Sequence, residues 1–325
     1  MGHEHAAATL AAAARAGRMH HAWLIAGPAG LGKATLAFRC ARWLLAGEPA
    51  DAPGEAPLFV PSESPVFRRV AAGAHPDLLT LEPNTGERGR KEILRVEDAR
   101  AAGRFLAHTA AEGGWRVVVV DEAERADSLA VQNALLKTLE EPPPRTVLLL
   151  TSAQPDRLLP TIRSRCRRLD LFPLEGGAMA PLLAAALPEL SEGDRAALSR
   201  LAEGCPGRAL TLAEGEGLAL QALVEEALAA LPRPDPRRLH AIADQVAGRR
   251  DGAALPTFMA LLRRALAAAL RQAGRGGAAP AWVAARPLGD WAALWERLGR
   301  LAEETERLNL DRRQAVLTGL GWLAA

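Results

Sequence analysis

Cysteine is scarce in this chain of 325 residues: Cys40, Cys166 and Cys205 stand far apart. Three such residues supply neither a disulfide framework nor a four-cysteine metal site, and the pattern suits a reducing compartment. Long apolar runs are also missing, since none approaches the ~18 residues of a membrane span. The first residues, Met1-Gly2-His3-Glu4-His5, lack the basic-then-apolar plan of a secretory signal. No charge of one sign dominates. Forty Lys and Arg against 38 Asp and Glu leave a net charge of +2, which by itself argues neither for nor against nucleic acid. Tyrosine is absent and aromatics make up 4% of the chain. The stretch densest in arginine has no interleaved aromatics, so it does not read as a stacking surface for single strands. The seven histidines show no metal-ligand spacing. These absences lead to the expectation of a soluble cytoplasmic protein. Its length allows two or three domains, and an apolar content of 49% supports real cores.

The most informative stretch is Gly27-Pro28-Ala29-Gly30-Leu31-Gly32-Lys33-Ala34-Thr35. It follows a short apolar run, Trp23 to Ala26, and leads into an amphipathic segment, Leu36 to Leu45. Strand, glycine loop and helix with the spacing G-x-x-x-x-G-K fit a phosphate-binding P-loop. The glycines let the backbone turn tightly and bring several N–H groups onto one anion, and the helix adds its positive end. Lys33 is placed to reach the terminal phosphates. The next position usually carries a Ser or Thr hydroxyl for Mg²⁺, but here it is Ala34. Thr35 comes one residue too late, roughly 100° further round the helix. The loop is built for phosphate and lacks its metal ligand.

The rest of the chain divides by pattern. A helix is expected over Ala6–Ala16. The proline-punctuated stretch with Pro49, Pro53, Pro57, Pro61 and Pro65 argues against regular helix or inner strand. Leu78–Leu81 reads as a strand, Asn84-Thr85-Gly86 and Gly89 as turns, and Val96–Leu106 as a helix. Trp115 to Glu122 holds Val117-Val118-Val119-Val120, an unalternating β-branched run that suits a strand buried on both faces. Asp121 and Glu122 at its end sit where open α/β sheets place ligand sites. Asp127 is expected to cap a helix over Ser128–Glu140, which Pro142-Pro143-Pro144 stops. Thr146–Thr151 is a further strand, Leu158–Ser164 a short helix and Arg167–Phe172 a last strand. After Pro173 only helices follow, with Ser191 and Asp194 as a capping pair. The alternation up to residue 172 argues a parallel α/β domain.

Lys33 with Asp121 and Glu122 forms the strongest chemical constellation. ATP hydrolysis needs one carboxylate near Mg²⁺ and another to prepare water, and these two fit by position. Thr151 and Ser152 end the next strand, within reach of a γ-phosphate or water. Arg163-Ser164-Arg165-Cys166-Arg167-Arg168 is dense in guanidinium. It reads either as a solvated basic face or as the seat of an arginine finger, with Arg165 stabilising phosphate charge on a neighbouring subunit. Between two arginines, the Cys166 thiol is expected to have a lowered pKa.

Three stretches carry a family resemblance: Gly17-Arg18-Met19-His20-His21-Ala22-Trp23 running into the P-loop, Gln132 through Pro143 (QNALLKTLEEPP), and Leu158 through Cys166 ending in Ser-Arg-Cys. With these the chain resembles the bacterial clamp-loader subunits of the AAA+ ATPases, and within them the delta-prime branch of DNA polymerase III. Leu308-Asn309-Leu310-Asp311-Arg312-Arg313 adds to the likeness. The resemblance implies an α/β P-loop NTPase (AAA+) core with a parallel sheet over residues 1–172, a small helical lid over 173–214 and an all-α collar over 215–325. It implies a stator in a hetero-pentamer with gamma/tau and delta subunits, which loads the sliding clamp on primed DNA at the expense of ATP. It gives Arg165 the role of an arginine finger acting in trans. The nucleotide site it implies comprises Gly27, Gly30, Gly32, Lys33, Ala34, Thr35, Asp121, Glu122 and Thr151, holding ATP or ADP weakly or without hydrolysis.

The chain departs from the active members of that family at several points. Ala34 replaces the Mg²⁺ ligand, while Asp121 and Glu122 are intact. Only Cys40 stands near the place of the family's four-cysteine module, so no zinc is expected. Gly207 occupies the place of the lid arginine that senses nucleotide, with Arg208 one residue off. The family's further N-terminal segment, which helps hold adenine, has no counterpart before the first helix. Two other readings stay open on sequence: an active gamma/tau-type ATPase, and another AAA+ motor that binds DNA directly.

Overall fold

Five short runs form one parallel sheet in the computed structural model of the chain, which describes residues 2–50, 56–83, 94–126, 129–249 and 252–324. The strands are β1 (Ala22–Ala26), β2 (Leu78–Leu81), β3 (Arg116–Val120), β4 (Thr146–Ser152) and β5 (Arg167–Asp170), in the spatial order β2-β3-β4-β1-β5. The expected turns at Gly86 and Gly89 and the expected cap at Asp127 lie outside the described residues.

The sheet is apolar on both faces because helices cover both. Side chains of a strand alternate between faces. Trp23, Ile25, Val117, Val119, Val147 and Leu149 point to one side, where they pack with α1 (Glu4–Arg15) and α2 (Lys33–Leu45). Ala22, Leu24, Val118, Val120, Leu148 and Leu150 point to the other. There they meet α4 (Val96–Ala107), α5 (Leu129–Glu140) and α6 (Pro160–Arg165). This burial explains the unalternating valines of β3. Buried Arg116 opens that strand and donates to the carbonyls of Leu106, His108 and Pro144.

The proline-punctuated stretch ends in regular structure, against expectation. Helix α3 spans Pro65–Ala71, with Pro65 in its first turn and the Ser64 hydroxyl accepting from the Phe67 N–H. Proline at the first helical position forfeits no hydrogen bond there, so a Pro that argues against a helix interior is a good start for one. The last strand is shorter than expected. It stops at Asp170, although Leu171 N–H still bonds the Ala26 carbonyl, and Phe172 is exposed.

By their contacts the described residues gather into two units. One holds the sheet, its helices, α7 (Met179–Ala186) and the segment Ser199–Arg208. The other holds Leu190–Leu198 and everything from Ala209 onward. The helices α8 (Glu192–Ala202) and α9 (Pro206–Glu214) each contribute to both units. Ser191 caps α8 through the Asp194 N–H and also bonds the Asp194 carboxylate. The second unit continues as α10 (Gly217–Ala229), α11 (Pro236–Ala247), α12 (Ala254–Gly274), α13 (Leu288–Leu308) and α14 (Arg312–Ala324). Helices α12 and α13 lock together where Arg263 lies over the Trp295 ring at 3.9 Å and against Gly299. The Trp295 indole donates to the Arg263 carbonyl, and Arg263 Nε donates to the Trp295 carbonyl. No described helix is long and apolar enough to cross a membrane.

Gln132 ties α5 to the segment leading into α6. It is buried, donates to the Ala126 carbonyl at 3.1 Å, and accepts from the Leu159 N–H at 2.7 Å. Replacing it with Leu removes both bonds and leaves the buried Ala126 carbonyl and the half-buried Leu159 N–H without these partners. The Gln132→Leu variant should lose about 2 kcal/mol or more, read as a lower urea midpoint with an unchanged denaturant slope.

Burial pushes the pKa of His21 and of His75 below the usual value of 6.5; for His75 the nearby Glu112 carboxylate offsets part of this. Below that value the unfolded chain takes up protons that the folded chain refuses, so stability falls with pH from there down to the folded values. The urea midpoint should therefore drop between pH 7.5 and 5.5, and a His75→Gln variant should show a smaller drop.

Candidate functional site

The parallel register sets the site. Strand β1 pairs with β4 on one side and β5 on the other, so the loop after β1 lies beside the end of β4. Strand β3 pairs with the far edge of β4 and brings its own end alongside. Gly27, Thr151 and Asp121 thus converge at the carboxyl end of the sheet, where open α/β folds bind ligands.

The loop Gly27–Gly32 runs into α2 with a left-handed Gly32 at the helix start. Among the described residues, the N–H groups of Gly30, Leu31, Gly32, Lys33 and Ala34 have no acceptor. Unpaired backbone donors at a glycine loop that opens a helix are the kind of group that binds an anion. Lys33 is almost fully buried, and its ammonium donates to the carbonyls of Gly27 and Pro28, at 2.9 Å each. Burial lowers its pKa from the usual lysine value, and the carboxylates of Glu124, Asp121 and Glu122 pull it partly back. Ala34 offers no hydroxyl, and Thr35 is exposed.

The acids are knit to β4. The Thr151 hydroxyl donates to Asp121 Oδ1 and accepts from the Glu122 N–H at 3.0 Å. Thr151 is fully buried, so its hydroxyl orients the acidic turn and has no open face toward solvent. Glu122 adopts a left-handed backbone and pairs with Arg125 at 2.7 Å. Sequence reasoning passed over Glu124. Its Oε1 accepts from the Ala153 N–H at 2.8 Å, and it is the foremost carboxylate acting on Lys33. The signal was the alternation Asp121-Glu122-Ala123-Glu124 across a single helical turn.

A second contact bears on the loop. The Gly207 N–H donates to the Gly30 carbonyl at 2.7 Å. A Cβ on Gly30 would stand 2.6 Å from the Arg208 nitrogen, and one on Gly207 would stand 3.0 Å from Gly30 Cα. Backbone meets backbone here, and Gly30 also needs its positive φ of 76°. A side chain at residue 207 has no room in this arrangement, and the Arg208 guanidinium turns to Glu203 at 3.6 Å.

Each arginine of the run Arg163–Arg168 has an assigned partner. Arg163 pairs with Asp156 at 2.7 Å, Arg168 with Asp170 at 2.8 Å, and Arg167 lies over the Trp23 ring. Arg165, at the end of α6, pairs with Glu140 at 2.8 Å and donates to the Thr161 carbonyl at 3.1 Å. The expectation for Cys166 is overturned. Burial pushes its thiol up to about 12, and the flanking Arg165 and Arg167 are engaged with Glu140 and the Trp23 ring. Burial also pushes Cys40 up to about 12. Among the described residues no group of three His, Cys, Asp or Glu stands close enough to hold a metal.

Comparison with known proteins gives this geometry a lineage. The model of the family described as "DNA polymerase III, delta subunit" matches residues 2–175. The DNA polymerase III subunit delta' of Pseudomonas aeruginosa is 42% identical over 199 residues, which cover 61% of this chain and 57% of that protein. Its counterpart in Escherichia coli is 37% identical over 221 residues, covering 68% of this chain and 62% of that one. The chain therefore spans about three fifths of the length of these relatives. A DNA polymerase III gamma subunit-related protein from Thermotoga maritima shares the fold, with a TM-score of 0.50, 18% identity and 94% of both chains covered. The resemblance carried by the P-loop approach, the QNALLKTLEEPP stretch and Ser-Arg-Cys is thus borne out: with more than half its length matched, the chain belongs to the DNA polymerase III delta subunit family.

Proposed function

We propose that this protein is the delta-prime stator of a DNA polymerase III clamp loader, acting in the cytoplasm. In this reading it assembles with gamma/tau and delta subunits through its helical carboxyl-terminal part, and the complex loads the sliding clamp on primed DNA. The observation that carries the reading is Ala34, an alanine at the Mg²⁺ position of an otherwise intact P-loop. A motor cannot spare that hydroxyl, whereas a stator can. The contact of Gly207 with Gly30 supports it, since it leaves no place for a nucleotide-sensing side chain.

The loop keeps the means to hold phosphate. Its five unpartnered N–H groups, with Lys33 released from the carbonyls of Gly27 and Pro28, would receive the phosphates of ATP or ADP. Asp121 and Glu122 stand nearby but face a site short of one metal ligand. We therefore read it as a weak, non-hydrolysing nucleotide site. The catalytic contribution is made elsewhere: Arg165 enters the ATP site of the adjacent gamma/tau subunit, where its guanidinium stabilises charge on the transferring phosphate.

Two results test this. The isolated protein should hydrolyse ATP at background rates; robust turnover that Lys33→Ala abolishes would make it a motor after all. In a complex reconstituted with gamma/tau and delta subunits, Arg165→Ala should leave assembly intact. It should slow hydrolysis at the site it serves by on the order of 10³-fold and reduce clamp loading. Unchanged hydrolysis in that complex would rule out a trans-acting arginine.

A further inference from the structure

Arg165 can work as a finger only if its guanidinium is held ready, because a long side chain free to sample many rotamers loses that freedom on engaging its target. Its two partners come from different places. The Thr161 carbonyl lies one turn back in α6, and Glu140 lies at the end of α5. The Arg165 side chain is 36% exposed and that of Glu140 is 49% exposed, so the pair sits at the surface, where an adjoining subunit can reach it. A guanidinium has five N–H donors in a fixed fork. Here Nη1 serves Thr161 and Nη2 serves Glu140, and among the described residues the Nε–H has no partner. The two contacts use two of the five donors and leave the Nε–H and others for a phosphate.

The neighbouring arginines do not compete for Glu140, since Arg163, Arg167 and Arg168 are engaged with Asp156, Trp23 and Asp170. The two helices that bring the pair together are themselves joined by Gln132, which accepts from the Leu159 N–H just ahead of α6. The distance between Glu140 and Arg165 is therefore held by this side-chain contact as well as by the surface pair.

We propose that Glu140 is a positioning residue for Arg165: with the Thr161 carbonyl it orients the guanidinium so that its free donors meet the terminal phosphate of a neighbouring nucleotide. This rests on the trans-acting reading of Arg165 and adds a residue that the reading did not contain. Glu140 does not touch the nucleotide. It acts by raising the fraction of Arg165 already in the productive rotamer.

The test uses the reconstituted complex, with hydrolysis followed in single turnover so that the site served by Arg165 appears as its own phase. Glu140→Ala should slow that phase by about 2- to 5-fold, the range an exposed ion pair carries, with the apparent KM for ATP unchanged. Glu140→Gln keeps an acceptor and should restore at least half of the loss. Glu140→Ala should do nothing further in an Arg165→Ala background, and the unfolding midpoint of the isolated protein should stay put. An unchanged or faster phase in Glu140→Ala would overturn the proposal. So would a loss that adds to that of Arg165→Ala, because Glu140 would then act without Arg165. If Arg165→Ala alone leaves hydrolysis unchanged, the trans-acting reading fails and the proposal falls with it. If Arg165→Ala is slow and Glu140→Ala is normal, only the proposal fails.

Discussion

The ladder between β1 and β4 is the constraint on which the site depends. Its register runs from Ala22 beside Leu148 to Ala26 beside Ser152. A one-residue slip would turn every core side chain of β1 to the wrong face and would separate the P-loop from Thr151. Thr151 in turn orders the acidic turn through Asp121 and the Glu122 N–H. The phosphate loop and the carboxylates never touch one another in sequence. They share an address because both of their strands pair with β4, and because both faces of that strand are sealed by helices.

Much of this was legible from the residues. The four valines of β3 announced a strand buried on both faces, and the glycine spacing after β1 announced the loop. Both signals are local and strong, so no other contact overrides them. Ser191 with Asp194 was readable for the same reason. What could not be read was tertiary. The engagement of Lys33 by the Gly27 and Pro28 carbonyls depends on how the loop closes. The contact between Gly207 and Gly30 joins residues far apart in sequence. The high pKa of Cys166 comes from its burial, which the two arginines beside it in the sequence gave no sign of. The helix at Pro65 was hidden because proline stops a helix from within and starts one from its first turn; only Ser64 before it marked the difference.

Gly207 is informative because it fixes what can stand beside the loop. Where backbone lies on backbone at this distance, residue 207 has no room for a side chain beside the loop. Together with Ala34, this is what the proposed stator reading draws on: a loop with no hydroxyl after Lys33 and no side chain at residue 207. The unpaired amides of the loop depend on its conformation, set by the positive-φ glycines Gly30 and Gly32, and need neither feature.

The arginine run has a further physical consequence. Three of its four guanidinium groups are matched by the carboxylates of Asp156, Glu140 and Asp170, and the fourth lies on an indole. Seen from more than a Debye length away, about 10 Å at moderate salt, such a surface is close to neutral despite its sequence. It exerts little long-range pull on polyanions and gives little steering during encounter. Its charges are matched at short range, so a partner senses them only once shapes have already met. A partner that docks here, as the proposed function requires, would be recognised by fit and dissociation rate, and its speed of assembly would depend little on ionic strength.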